Sequence, residues 1–272
     1  MRLPHQTLPL LLIVAFCSIL CHADFKDQQN LQGLIITYKT TPAHRVDLRE
    51  YMSSEGISHL RELQHTGIIN FYQVFFSRYV DNETWDMMLI VSFPDAAGMA
   101  RWREVELQSP AALTGRGLAT VQFVGTTPVN RVRGFTSGQN SSSSVFLIIP
   151  YKVLAPAVDY LRYFDGYVVP QLEGWRKEKA LLGYELYTAQ YPAGRPWAST
   201  LVLRYTNDAA LADRERIISK IRDRLRNDPS WKAFADNKAN IRSEQETVVA
   251  DELHFGSNSP SSNSGSASPT TD

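Results

Sequence analysis

The chain has 272 residues, 43% hydrophobic and 21% charged, the composition of a folded protein with a sizeable core. Its 28 lysines and arginines equal its 28 aspartates and glutamates, so no net field draws it to nucleic acid or to an anionic membrane surface. Both cysteines, Cys17 and Cys21, fall near the N-terminus, which leaves no disulfide framework and no thiol nucleophile for the rest of the chain.

The first 23 residues read as a signal peptide. Arg2 precedes an apolar run over residues 8–20, broken only by Pro9 and Ser18, and Cys21-His22-Ala23 puts small residues at the −3 and −1 positions of a cleavage site. The run falls short of the ~20 residues that a membrane helix needs. The expectation is therefore cleavage before Asp24, a secreted or periplasmic protein, and no stable membrane insertion once the signal is gone. A retained anchor and a lipid on Cys21 are the alternatives, although Leu20 is a poor residue before a lipobox cysteine.

From there the chain alternates strands and helices. Residues 33–39 read as a short apolar strand, Thr40-Thr41-Pro42 as a turn, and 46–64 as a helix that Gly56 weakens in its middle. Residues 68–79, dense in aromatic and β-branched side chains, form a second strand, and Asp81-Asn82-Glu83 a hairpin turn. A third strand spans 85–93. Asp95 caps a helix over 96–107, Ser109-Pro110 starts a further helical turn, and 118–124 is a fourth strand. This order, β-α-β-β-α-β, is the split βαβ arrangement.

The same order then repeats. Leu34-Ile35-Ile36-Thr37-Tyr38-Lys39 returns as Leu147-Ile148-Ile149-Pro150-Tyr151-Lys152, an offset of 113 residues that is too long for a solenoid unit and marks a duplicated small domain. Strands are expected at 145–151, 181–191, 197–205 and 247–253, and helices at 157–179 and 209–226. Trp85 and Trp197 open the third strand of each copy, and Asp228-Pro229 answers Ser109-Pro110. Pro150, which cannot donate to a ladder, predicts a bulge or an early strand end. The units are expected at 31–130 and 145–255. Between them lies a Gly/Ser linker, 131–144, and after them a disordered Ser-rich tail, 256–272.

The strands are apolar on both faces: Leu34, Ile36 and Tyr38 on one side with Ile35 on the other, and Met87, Leu89, Val91 and Phe93 opposite Met88 and Ile90. Two helices cover only one face. The other must bury itself against the second copy, which predicts an α+β fold with two ferredoxin-like units packed sheet to sheet as an intrachain barrel, a monomeric pseudo-dimer.

The duplicated β-α-β-β-α-β, the Leu-Ile-Ile-X-Tyr-Lys strands and the proline-started turn before the fourth strand resemble the dimeric α/β-barrel (ferredoxin-like) superfamily over about residues 33–253. That group includes antibiotic-biosynthesis monooxygenase-like, NIPSNAP-like and stress-responsive barrel proteins. The resemblance implies the fold; its members range from cofactor-free oxygenases to haem enzymes and non-catalytic proteins.

Chemical signals are sparse. His44, His59, His65 and His254 remain after the signal; six residues separate His59 from His65, which does not place them on one helix face, and no ligand-spaced cluster or phosphate loop occurs. No metal and no cofactor are expected. Tyr38-Lys39 and Tyr151-Lys152 end the first strands, where a cavity and an anion-holding lysine are plausible, and the ordinary alternative is a core tyrosine followed by a strand-ending lysine. With Trp85 and Trp197 these four form the expected substrate-binding set. Asn70, Arg78, Glu185 and Arg204 are strand polar residues suited to orienting a flat organic ligand. Two functions stay open: a cofactor-independent monooxygenase-like oxidoreductase on a small organic substrate, and a non-catalytic ligand-binding or interaction module of the cell envelope.

Overall fold

In the computed structural model, which describes residues 31–138 and 142–253, the duplication is visible element by element. The first half runs β1 (Leu31–Lys39), α1 (Arg45–Tyr51), α2 (Ile57–His65), β2 (Phe71–Ser77), β3 (Met87–Ser92), α3 (Ala96–Gln108), α4 (Gly115–Leu118) and β4 (Phe123–Thr136). The second runs β5 (Val145–Val153), α5 (Ala157–Tyr163), α6 (Val169–Lys177), β6 (Leu181–Ala189), β7 (Ser199–Tyr205), α7 (Asp208–Ala212), α8 (Arg214–Leu225), α9 (Pro229–Asp236), α10 (Lys238–Ile241), β8 (Arg242–Glu244) and β9 (Val248–Glu252). The expected signal peptide, His254 and the Ser-rich tail lie outside the described residues.

Four antiparallel strands make each half-sheet, β4-β1-β3-β2 and β6-β7-β5-β9. Two further ladders, β4 with β6 and β2 with β9, join the halves edge to edge and close an eight-stranded antiparallel barrel within one chain, with β8 added outside the ring on β5. Closure leaves the eight ring strands without a bare edge.

The two-faced strands account for this architecture. Leu34, Ile36, Tyr38, Met87, Leu89 and Val91 point outward into a core shared with the helices of the first half. Their alternates Ile35, Met88 and Ile90 point inward, where they meet Phe146, Ile148 and Val202 of the second half in a core that neither half completes alone. Both long helices are interrupted by one π turn at matching places, Met52–Gly56 and Phe164–Val168, so the irregularity belongs to the repeat. Caps appear as expected at Asp95, which accepts from Gly98 N at 2.8 Å, and at Asp228, which accepts from Ser230 N at 2.9 Å.

Several boundaries differ from the sequence expectation. The fourth strand does not occupy 118–124: Leu118 closes a helical turn and β4 begins at Phe123. It then runs to Thr136, so residues 131–136 of the expected linker are strand. The cause is tertiary: residues 123–131 pair with β1 while residues 129–136 pair with β6. Pro150 produces neither a bulge nor a strand end, and the β5–β7 register passes through it unbroken. Its carbonyl accepts from Gln245 N at 2.9 Å, so its missing donor also faces the gap between β8 and β9, where no ladder bond is lost. Helix 209–226 is two helices, α7 and α8, and α7 is capped by Asn207.

The sheet–helix core of the second half is rich in tyrosine, and this sets an alkaline limit on stability. Burial pushes Tyr205 up to about 12 and raises Tyr151, Tyr160 and Tyr163 as well. In the unfolded chain each ionises near pH ~10. The unfolded chain therefore loses these protons first, so their contribution to stability is whole below about pH 10 and falls as pH rises toward the folded values. One pH unit between the two states corresponds to about 1.4 kcal/mol, so a few such groups exhaust a typical stability of about 5–15 kcal/mol. Denaturant titrations across this range should show a steep loss, with tyrosinate absorbance appearing together with unfolding. Free titration of these tyrosines in the folded protein would contradict the burial argument.

Candidate functional site

At the end of the barrel where β1 and β5 finish, Trp85 and Trp197 are partly buried and pack against the inner core. Lys39 is bound there by carbonyls: its Nζ donates to Asp81 O and, at 2.7 Å, to Thr84 O, with the Asp86 carboxylate at 3.7 Å. Asp86 also pairs with Arg45 at 3.2 Å and accepts from Thr40 N at 2.9 Å, so this lysine is part of a loop-holding network.

At the other end the inward positions of the strands surround a cavity of about 860 Å3. Two of these positions are glycines. A Cβ on Gly33 would lie 2.2 Å from Val91 O, and one on Gly183 would lie 2.7 Å from Phe135 O, so both strands approach their neighbours more closely than a side chain allows. Gly33 corresponds in the repeat to Phe146, which does project inward; the copies are thus unequal where the cavity opens.

Phe146, Val202 and Tyr187 supply apolar wall, and charged groups are distributed around it. On one side Arg131 Nε donates to Glu185 Oε1 at 2.8 Å and Tyr187 OH donates to Glu185 Oε2 at 2.8 Å. Burial first, then the adjacent Glu185 charge, push the Tyr187 hydroxyl well above its ordinary value, so it stays a donor. Across the barrel Gln73 Nε2 donates to Glu252 Oε1 at 3.2 Å, and the Gln73 amide oxygen is buried without a partner. Arg204, on β7, donates through Nε to Ser144 Oγ at 3.1 Å.

None of the six residues of the expected substrate set lines this cavity. Tyr38 and Tyr151 face outward into the sheet–helix cores, with Tyr38 OH donating to Ala111 O at 2.6 Å and the Arg242 guanidinium 3.8 Å from the Tyr151 ring centroid. Lys152 is exposed at a strand end, and Lys39, Trp85 and Trp197 belong to the opposite end of the barrel. Of the polar strand residues, Asn70, Glu185 and Arg204 do line the cavity, while Arg78 pairs with Asp208 and Asp251 outside it. Arg131, Gln73 and Glu252 also line the cavity. A period-two reading of β2, β4 and β9 places all three on inward faces, but only if β4 is known to reach Arg131. Among the described residues no group of three His, Cys, Asp or Glu side chains is placed to hold a metal, and no helix is long and apolar enough to cross a membrane.

The fold and site define a tandem α/β barrel, closed within one chain, with a cavity of apolar wall and charged groups at one mouth. Neither a protein-family model nor a curated protein sequence matches the chain. Solved structures do. A proposed monooxygenase from Lactobacillus acidophilus NCFM superposes with TM-score 0.51 at 14% identity, covering 82% of this chain and 94% of that one. A second proposed monooxygenase, from Fusobacterium nucleatum subsp. nucleatum, gives 0.51 at 8% identity, over 83% and 93% of the two chains. An anthrone oxidase-like protein gives 0.52 at 11% identity, over 83% and 92%. At these identities the likeness is one of fold.

Proposed function

We propose that the open mouth of the barrel binds a small organic molecule and that the chain is a cofactor-independent oxidoreductase acting on it with dioxygen. The observation that carries this reading is the cavity of about 860 Å3, a size suited to a small ligand, with apolar wall and converging polar groups from both halves. The fold shared with proteins described as monooxygenases and as anthrone oxidase-like makes oxidation the chemistry to test first. A hydroquinone-type ring lies against Phe146 and Val202, with one hydroxyl held in the cavity and the other donating to Glu185. Glu185 takes that hydroxyl proton and leaves an electron-rich phenolate. Two electrons and two protons then pass to dioxygen, giving the quinone and hydrogen peroxide.

Oxygen uptake by the purified chain with substituted hydroquinones tests this directly. Saturable uptake is expected, reduced about 100-fold or more in Glu185→Gln, the usual scale for losing a general base. Uptake no faster than without protein, with no saturable binding, would sink the proposal. Because both Glu185 oxygens are already engaged, the second reading is a ligand-binding module of the cell envelope without turnover, and binding without uptake selects it. Export through residues 1–23 belongs to the same proposal.

A further inference from the structure

Resting on the reading of the cavity as a ligand site, we infer that its ligand carries a single negative charge, a carboxylate, and that Arg204 receives it. Four charged side chains line the cavity, and they are not equally engaged. Arg131 and Glu185 neutralise each other at 2.8 Å. Glu252 is held by Gln73 at 3.2 Å. Arg204 differs: among the described residues no carboxylate lies within ion-pair distance of its guanidinium, whose hydrogen bond is to the neutral hydroxyl of Ser144 at 3.1 Å. The guanidinium carbon sits 5.9 Å from the Phe146 ring centroid.

The sheet explains the isolation. The cross-strand neighbours of Arg204 are Phe146 on β5 and Gly183 on β6, neither of which carries a charge. In the repeat the position corresponds to Ser92, so the cation is a feature of the second half alone. A half-buried guanidinium with free donors matches the geometry of a carboxylate, which it binds through two parallel N–H donors. Among the described lining residues Arg204 is the one cation without a carboxylate partner, which suits a single carboxylate on the ligand. Glu185, on the adjacent strand β6, accepts a hydroxyl of the same molecule. The ligand class is an aromatic hydroxy acid.

Titration calorimetry of the full chain with 4-hydroxybenzoate and 4-hydroxybenzamide separates the charge from the ring. The acid should bind about tenfold or more tightly than the amide, the scale of a hydrogen-bonded charge. Arg204→Gln should abolish that preference, and Arg204→Lys should restore part of it. Added salt should weaken acid binding more than amide binding in the unaltered protein, a readout that needs no variant. Equal affinities for acid and amide, or a preference that survives Arg204→Gln, would overturn the inference and leave the cavity reading standing. Absence of binding by either compound would also overturn the inference, and the hydroquinone uptake and binding measurements then decide the cavity reading separately.

Discussion

Phe75→Ala is expected to lower the free energy of unfolding by about 3–5 kcal/mol, the usual cost of removing a fully buried aromatic ring. Phe75 comes from β2 in the first half and is 0% exposed. Its ring meets the edge of Phe146, from β5 in the second half, with centroids 4.8 Å apart and planes at 60°. The pair therefore crosses the seam of the barrel. A double-mutant cycle with Phe146→Ala should show a coupling of about 0.5–1.5 kcal/mol beyond the lost burial. Because the inner core is built by both halves, denaturant unfolding should remain one transition that shifts as a whole. Two transitions, of which only the earlier moved in Phe75→Ala, would mean that the halves fold independently.

Glu185→Ala should cost about 3 kcal/mol, the lower part of the range for breaking a buried ion pair, since the site borders a cavity. The side chains of Arg131 and Glu185 are 12% and 16% exposed, so solvent screens the pair only weakly. Truncation removes one acceptor of Arg131 and also the one for the Tyr187 hydroxyl. Both losses fall on the β4–β6 ladder, one of the two joints between the halves. Glu185→Gln keeps an acceptor oxygen for Arg131 or Tyr187 and should cost markedly less, which is why it serves as the activity variant. Equal stabilities for Glu185→Ala and the unaltered protein, measured by denaturant titration, would show that the carboxylate contributes no stability.

Arg204 illustrates how the site was partly visible beforehand. Strand position and polarity single out Asn70, Arg78, Glu185 and Arg204, and all but Arg78 line the cavity. The Tyr-Lys repeat, a stronger local signal, points instead to Tyr38 and Tyr151, each of which lies in a sheet–helix core. A repeated pattern reports what both copies need in order to fold, and those needs are packing. The cavity arises where the copies differ, at Gly33 against Phe146 and at Ser92 against Arg204.

The sequence by itself determined the duplication, the β-α-β-β-α-β order of each copy and the two apolar faces of its strands, because strand and helix periods and caps are local properties. It also required that the inward face be covered, and by the other copy. Only the tertiary structure decided how far β4 runs. Residues 125–136 contain Gly125, Pro128 and Gly134 and read poorly as strand, yet β1 on one side and β6 on the other supply the ladders that hold them extended. The same holds for the open mouth. Which side chains share a layer of the barrel depends on the register of eight strands at once, and no single stretch of chain contains that information.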